Sequence, residues 1–225
     1  MKLADRLAAA CGAASILLVI VGADVLGTPP GEQVAHPTGQ QNLDHMTWVA
    51  DTPAAQVGIG LELFGFVLLI VFISYLATRF LDAGWLATAA LAGGLIEVAI
   101  KLGSGAPVFA AYMLRDEIST ETARVLIDMN LAAFVISWLP LGLFVACAAR
   151  AGMIVGALGR VLGWGGVVTG LVTIIVTAAT GVHMLSAIFV PMLLCTLWTL
   201  IVSLRLAFQR SATTSTISDE VSVRA

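Results

Sequence analysis

Glu97 and Lys101 lie four residues apart in the apolar stretch GGLIEVAIKLGSG, residues 93–105. On a helix, residues at i and i+4 face each other, and a glutamate on the N-terminal side of a lysine is the favourable order for an ion pair. Ionisable side chains inside a membrane are costly, and they mark a functional site by default. The pair therefore has two interpretations: a structural ion pair, or part of a site that binds a proton, a cation or a small polar ligand.

Two more carboxylates, Glu62 and Asp128, extend this candidate site. Glu62, Glu97 and Asp128 each lie about six residues, or roughly 9 Å, from the same side of the membrane in the predicted spans. Three acids against Lys101 leave excess negative charge, which Arg124 reduces if it pairs with Asp128. An uncompensated carboxylate in a poorly solvated place takes up a proton or a cation. We therefore predict a ligand-binding cluster of Glu62, Glu97, Lys101 and Asp128. The alternative is that Glu97–Lys101 and Arg124–Asp128 are structural pairs.

Small residues indicate which helix faces carry these charges. Gly58 and Gly65 share a stripe with Glu62, and a run of small residues shares one with Glu97 and Lys101: Ala90, Gly93 and Gly94. Small residues mark the places where membrane helices approach each other closely. We therefore expect the charges to face other helices. Asn130 lies about 200° around the helix from Asp128, so we expect it outside the cluster.

The elements that position these residues are membrane-spanning helices. The chain has 225 residues, of which 59% are hydrophobic and only 11% are charged, whereas soluble domains contain about 25% charged residues. Apolar runs of about 20 residues, the length that a bilayer core requires, predict an all-α bundle of six transmembrane helices at 7–27, 56–80, 84–103, 123–149, 160–182 and 184–206. The first run is longer than the core of a signal peptide, which favours a retained helix over a cleaved leader.

The distribution of basic residues predicts the orientation. One side of the predicted bundle carries eight of them, and the other carries only Arg115 and Arg124. The eight are Lys2, Arg6, Arg79, Arg150, Arg160, Arg205, Arg210 and Arg224. Because basic residues accumulate on the cytoplasmic side, we expect a multi-pass protein of the cell membrane with both termini in the cytoplasm.

The predicted domain organisation is a six-span domain over 1–208 followed by a disordered cytoplasmic tail over 209–225. The connection 28–55 contains no lysine or arginine, and its length predicts a mobile or functional outer loop. The stretch GSGAP is expected to end the third span, with VFAAYML (108–114) lying at the interface. Ser119 or Thr120 can then cap the next helix, with Glu121 in its first turn.

Other chemistry is not supported by the sequence. Cys11, Cys147 and Cys195 lie in apolar runs without metal-ligand spacing, so we expect small buried side chains. The histidines, His36, His45 and His183, lack the spacing of a metal site and lie in predicted loops. No catalytic motif appears, and no basic stripe indicates nucleic acid. We therefore expect no enzyme activity, no cofactor and no nucleic-acid partner.

Two stretches resemble a bacterial domain-of-unknown-function family of six-helix integral membrane proteins. They are VGIGLELFGFVLLIVFISYLATRF (57–80) and residues 128–170, which contain WLPLG and LGRVLGWGG. The resemblance covers about half the chain, implies a six-span architecture and assigns no activity or site residue.

Two functions remain open from the sequence. The first is binding or movement of a proton, a cation or a small polar ligand at an outward-facing carboxylate cluster. The second is a non-catalytic scaffold or assembly protein. The expected partners are the lipid bilayer and either another membrane protein or further copies of this chain.

Overall fold

The computed structural model describes residues 2–26, 37–180 and 185–209, without the side chains of 24, 25, 180 and 185–188. These residues form eight α-helices: α1 (Leu3–Val19), α2 (Gly39–Asp51), α3 (Pro53–Arg79), α4 (Trp85–Met113), α5 (Thr120–Ile136), α6 (Trp138–Ile154), α7 (Arg160–Thr180) and α8 (Leu185–Phe208). A π-helix, Ile20–Leu26, continues α1, and a 3-10 turn, Leu81–Ala83, joins α3 to α4.

The predicted all-α class and the six membrane spans are confirmed. Within the described residues there is no strand, and six helical segments are long and apolar enough to cross a membrane. They are Leu3–Ala23, Pro53–Arg79, Trp85–Met113, Thr120–Ile154, Arg160–Ala179 and Phe189–Phe208. The protein is therefore a multi-pass membrane protein by helix length and composition.

The bundle is held together by close approaches of small residues and by a few buried polar contacts. The α6–α7 crossing is one example, since a Cβ at Gly142 would lie 2.6 Å from the carbonyl oxygen of Gly170. On the other side of the bundle, the buried Ser203 hydroxyl of α8 donates to the Ala9 carbonyl (2.6 Å) and accepts from the Ala13 amide (2.7 Å). The first span is thereby bonded through its backbone to the last one.

The fourth predicted span is broken into two helices. α5 ends at Ile136 and α6 begins at Trp138, with Ser137 between them. Pro140 explains the break, because its ring conflicts with the carbonyl four residues earlier, that of Ile136. The Ser137 hydroxyl donates to the Phe134 carbonyl at 2.6 Å and satisfies part of the interrupted backbone.

The prediction that the third span ends at GSGAP was wrong. α4 continues through Pro107 to Met113, so VFAAYML belongs to the same helix except for its last residue. The extension is stabilised by tertiary packing, because Ala111 is fully buried against Met46 of α2 and Ala123 of α5. Such packing compensates for the backbone hydrogen bond that a proline removes.

The described part of the connection 28–55 is mainly helical, contrary to the prediction of a loop. Thr38 caps α2 by accepting from the Gln41 amide at 3.2 Å, and the Gln41 side chain accepts from the Thr38 amide at 2.8 Å. Three α2 residues are buried in a helical i, i+4, i+7 pattern: Asn42, Met46 and Val49. α2 therefore lies against the ends of α3, α4 and α5.

The predicted start of α5 is confirmed. Ser119 caps the helix by accepting a hydrogen bond from the Thr122 amide at 3.2 Å, and Glu121 lies in the first turn. Several other predictions fall outside the described residues: the segment 28–36 with His36, the turn around His183, and the tail from 210 onward.

Candidate functional site

A cavity of about 310 Å³ lies between α1, α3, α4, α5, α6 and α8. Its walls are largely apolar and include four phenylalanines: Phe66, Phe134, Phe144 and Phe189. Glu62, Glu97 and Lys101 also line this cavity. The volume falls at the lower end of the range of small-molecule sites, so the cavity matches a small ligand rather than a whole lipid.

Glu97 and Lys101 form the predicted ion pair within this cavity. The Lys101 Nζ lies 2.8 Å from the Glu97 Oε1, and the side chains are 16% and 3% exposed, respectively. The pair lies near the middle of α4, because the helix runs 16 residues beyond Glu97 to Met113. The predicted position of Glu97 six residues from the helix end was therefore wrong.

The Lys101 ammonium also lies over two aromatic rings. Its Nζ is 5.8 Å from the ring centroid of Phe66 and 5.2 Å from that of Phe134. Aromatic faces attract a cation within about 6 Å, more strongly when water is excluded. One carboxylate and two rings thus compensate for much of the hydration that this ammonium has lost.

Glu62 is half-buried and connects the first cavity to a second one of about 230 Å³. The second cavity has a more polar lining, which includes Ser104, Tyr112 and Asn130. Five residues line both cavities: Val19, Glu62, Phe66, Lys101 and Phe134. Glu62 and Lys101 therefore lie at the junction of an apolar space and a more polar one, whereas Glu97 lines only the apolar one.

Close helix packing places Glu62 at this junction. Gly22, in the π-helix that continues α1, packs on α3, where an added Cβ would clash with the Gly58 carbonyl oxygen and lie 2.9 Å from the Glu62 amide nitrogen. π-Helical segments are rare and occur frequently at functional sites. The backbone of Glu62 is therefore fixed by direct contact with the wider part of the first span.

The small-residue stripe on α4 fixes Glu97 in the same way. A Cβ at Gly93 would lie 2.9 Å from the Pro140 carbonyl oxygen of α6, and one at Gly94 would lie 2.8 Å from the Ile73 side chain of α3. The expected inward orientation of the stripes is confirmed, since Gly58, Gly65, Ala90, Gly93, Gly94 and Glu97 are all buried.

Asp128 does not join the other three residues. Its side chain is 64% exposed and lies 3.7 Å from Arg124, which is 65% exposed. The predicted i,i+4 pair with Arg124 is therefore present, but the prediction that Asp128 faces the bundle was wrong. The rotation of α5 directs Asn130 toward the second cavity instead, so the expectation that Asn130 lies outside the site was also wrong.

Several residues of the site escaped the sequence analysis. Phe66 and Phe134 are ordinary apolar residues of a membrane helix by sequence, and only their position over Lys101 distinguishes them. Tyr112 lies on the part of α4 that was expected to leave the bundle. Phe66 had one available signal, because it lies four residues after Glu62 and thus on the same face of α3.

The described residues contain no group of three or more histidine, cysteine, aspartate or glutamate side chains that could hold a metal ion. The three cysteines are free thiols; Cys147 and Cys195 are buried and Cys11 is partly buried. His45 lies on α2 beside Trp48, with ring centroids 6.0 Å apart. Burial lowers the pKa of His45 below its ordinary value of 6.5, which favours a neutral side chain.

The charges around the two cavities determine which chemistry they support. Among the described lining side chains, two are acidic, Glu62 and Glu97, and one is basic, Lys101. Carboxylates in apolar surroundings are stabilised by an added proton or cation. The arrangement is thus suited to binding positive charge, and its apolar walls are suited to an apolar group.

The comparisons with known proteins assign neither a family nor a function. The chain matches no family model, no curated protein and no solved structure. The resemblance of residues 57–80 and 128–170 to a six-helix membrane family stays a prediction.

Proposed function

We propose that this protein binds, and moves across the membrane, a proton, a cation or a small polar ligand at Glu62, Glu97 and Lys101, without enzyme activity. The observation that carries the proposal is that these three side chains line one cavity of about 310 Å³ between the helices. Ionisable residues that face a cavity within a membrane bundle mark ion and substrate pathways. Asp128 is left out because its side chain is 64% exposed.

The proposed location is the cell membrane, with both termini in the cytoplasm. Its support is the excess of basic residues, eight against two, on the side that carries the termini. In this orientation α2 lies on the outer side, together with the C-terminal end of α4 and the start of α5.

The test measures the melting temperature of the full chain in nanodiscs of neutral lipid. It is repeated over a range of pH and with sodium, potassium or choline chloride as the salt. A bound proton or cation stabilises the folded state by mass action. We expect a pH or cation dependence that Glu62→Gln reduces and that Asp128→Asn, the exposed control, retains. If wild type, Glu62→Gln and Glu97→Gln respond alike to pH and to each cation, the proposal is wrong.

The alternative proposal is a membrane scaffold that binds another membrane protein or a second copy of this chain. It is favoured by the exposed Arg124–Asp128 pair, which lies beside the exposed apolar residues Val125 and Met129 on α5. Charged side chains on a span seldom face lipid, so a protein surface can cover them. Under this alternative, Arg124→Gln with Asp128→Asn changes the oligomeric mass in nanodiscs or the set of co-purified membrane proteins, whereas Glu62→Gln changes neither.

A further inference from the structure

We propose that this protein binds anionic phospholipid headgroups at the basic end of its helix bundle. The binding surface is a row of three exposed arginines, which we call the arginine row: Arg6 on α1, Arg205 on α8 and Arg160 on α7. The inference goes beyond the proposed function, because these arginines line neither of the two cavities. It follows from the charge at this end, the contacts between the three helices, and the apolar side chains beside the row.

The two ends of the bundle carry opposite charge. The starts of α1, α4 and α7 and the ends of α3, α6 and α8 form one end, where the described residues include six basic side chains and two acidic ones. The basic ones are Lys2, Arg6, Arg79, Arg150, Arg160 and Arg205, and the acidic ones are Asp5 and Asp82. At the other end the proportion is reversed, with Asp44, Asp51, Asp116, Glu117, Glu121 and Asp128 against Arg115 and Arg124. An anion is therefore attracted to the first end and repelled by the second.

The positive charge at the basic end is not neutralised within the described part of the chain. All six basic side chains are exposed, and none of them forms an ion pair with a described residue, since the pairs found there are Glu97–Lys101 and Arg124–Asp128. The Asp5 carboxylate is engaged locally, because its Oδ2 accepts from the Lys2 amide at 3.2 Å. The arginines can therefore bind an external anion.

A direct contact between α1 and α8 places two arginines of the row at the same level. The Ser203 hydroxyl donates to the Ala9 carbonyl at 2.6 Å. Arg205 follows Ser203 by two residues. Arg6 precedes Ala9 by three residues on the antiparallel helix. Both arginines therefore lie slightly beyond this bond, on the same side of it.

A second contact joins α8 to the start of α7. The Trp198 indole donates to the Leu162 carbonyl at 2.9 Å, and a Cβ at Gly159 would lie 4.0 Å from the Arg205 Nη1. Arg160 directly follows Gly159. Because α8 contacts both α1 and α7, the row runs from Arg6 through Arg205 to Arg160.

The arginine row lies at the level of the lipid headgroups. Arg160 is the first residue of its span, and Arg6 and Arg205 each lie three residues from the end of theirs. Arginines in such positions extend the guanidinium group to the membrane surface. Exposed apolar side chains lie beside them on the hydrocarbon side: Leu7, Val161, Trp164 and Leu204. The surface thus fits a molecule with an anionic head and apolar chains, and the guanidinium fork matches a phosphate group.

The first experiment measures the binding of individual lipids to the full chain in neutral detergent by native mass spectrometry. The probes are phosphatidylglycerol, which is anionic, and phosphatidylcholine with the same acyl chains. Each basic residue near an anionic membrane surface strengthens binding about fivefold, so we expect phosphatidylglycerol to bind at least about tenfold more tightly. Arg160→Gln combined with Arg205→Gln should remove most of this preference. Equal binding of the two lipids to wild type, or an unchanged preference in the double variant, would overturn the inference.

The matched control is Arg124→Gln, which removes an exposed arginine at the opposite end of the bundle. This variant should keep the preference for phosphatidylglycerol, and its loss would place the lipid at the wrong end. Inorganic phosphate, added at constant ionic strength, should not displace the bound lipid. Displacement would show that the arginine row binds a soluble anion instead of a phospholipid, which contradicts the inference.

The second experiment tests the same interaction in a bilayer. The melting temperature of the full chain is compared in nanodiscs of phosphatidylcholine with and without phosphatidylglycerol, at increasing sodium chloride. We expect the anionic lipid to stabilise wild type, and the effect to fade with salt, because the screening length falls from about 10 Å at 0.1 M to about 3 Å at 1 M. No stabilisation, or one that salt does not weaken, would refute the inference even if the double variant does not fold.

Discussion

The Glu97–Lys101 pair allows the energetics of the site to be tested by substitution. The Glu97 side chain is 3% exposed and its carboxylate lies 2.8 Å from the Lys101 ammonium. Glu97→Gln removes the charge and leaves the lysine without its partner in a poorly solvated place. Removing one member of a buried pair costs about 3–5 kcal/mol. For a chain of this size, each kcal/mol lowers the melting temperature by about 2–4 °C, so we expect a loss of about 6–20 °C.

A matched control is available on α5. Arg124 and Asp128 have the same i,i+4 spacing in the reverse order, but both side chains are about two-thirds exposed and the charges lie 3.7 Å apart. Exposed pairs contribute about 0–1 kcal/mol, so Asp128→Asn should lower the melting temperature by no more than about 4 °C. The difference between the two single variants thus measures the effect of burial on the same type of pair.

Two double variants complete the test. Glu97→Gln with Lys101→Met removes both charges, and it should recover much of the loss, because no unpaired charge remains. Glu97→Gln combined with Glu62→Gln should lower the melting temperature more than Glu97→Gln does alone. The reason is that Lys101 then has no carboxylate left among the described residues that line the cavities. If Glu97→Gln melts like wild type at every pH, Glu97 reaches water and the reasoning from burial is refuted.

Three further predictions concern packing, topology and pH. Gly22→Ala should lower the melting temperature, because its Cβ would clash with α3, whereas Gly60→Ala meets no atom within 4 Å and should be neutral or stabilising; equal effects would argue against the close contact. In a cysteine-free background, a cysteine placed at Gln40 should react with a membrane-impermeant thiol reagent in intact cells, and one placed at Ser215 should react only after permeabilisation. The reverse pattern would show that the chain has the opposite orientation in the membrane. Burial holds the pKa of His45 below 6.5, so the unfolded state binds more protons and the stability present above about pH 6.5 is lost as the pH falls. His45→Gln should flatten the pH dependence of the hydrogen-exchange protection factors of the α2 amides, which are corrected for the intrinsic exchange rate at each pH. An unchanged profile would contradict this assignment.

The spans were predictable because their signal is local and large. A run of about 20 apolar residues has few alternatives to a membrane helix, and small residues beside Glu62 and Glu97 correctly indicated an inward orientation. The pairing of Glu97 with Lys101 was predictable for a similar reason, since an i,i+4 contact depends only on helix geometry. These features require no knowledge of how distant helices pack.

The errors came from features that depend on tertiary contacts. The end of α4 was misplaced because the burial of Ala111 by α2 and α5 outweighs the local preference of Pro107 for a helix end. The rotation of α5 was misjudged because no stripe of small residues marks its inner face, and Asp128 was therefore placed inside instead of Asn130. α2, in contrast, had a usable signal in its capping box at Thr38.

The bond between Ser203 and the backbone of α1 has a consequence for synthesis of the protein. Ser203 and Ala9 are 194 residues apart in sequence, so the ribosome makes nearly the whole chain before this contact can form. α8 also supplies several cavity residues, including Phe189 and Met192. During insertion, the cavity therefore stays open along the side that α8 later covers. A nascent chain released before its last span keeps the charged pair on α4 but lacks the α8 wall of the cavity, so quality control of a truncated chain acts on a protein whose charged pair has lost part of its cover.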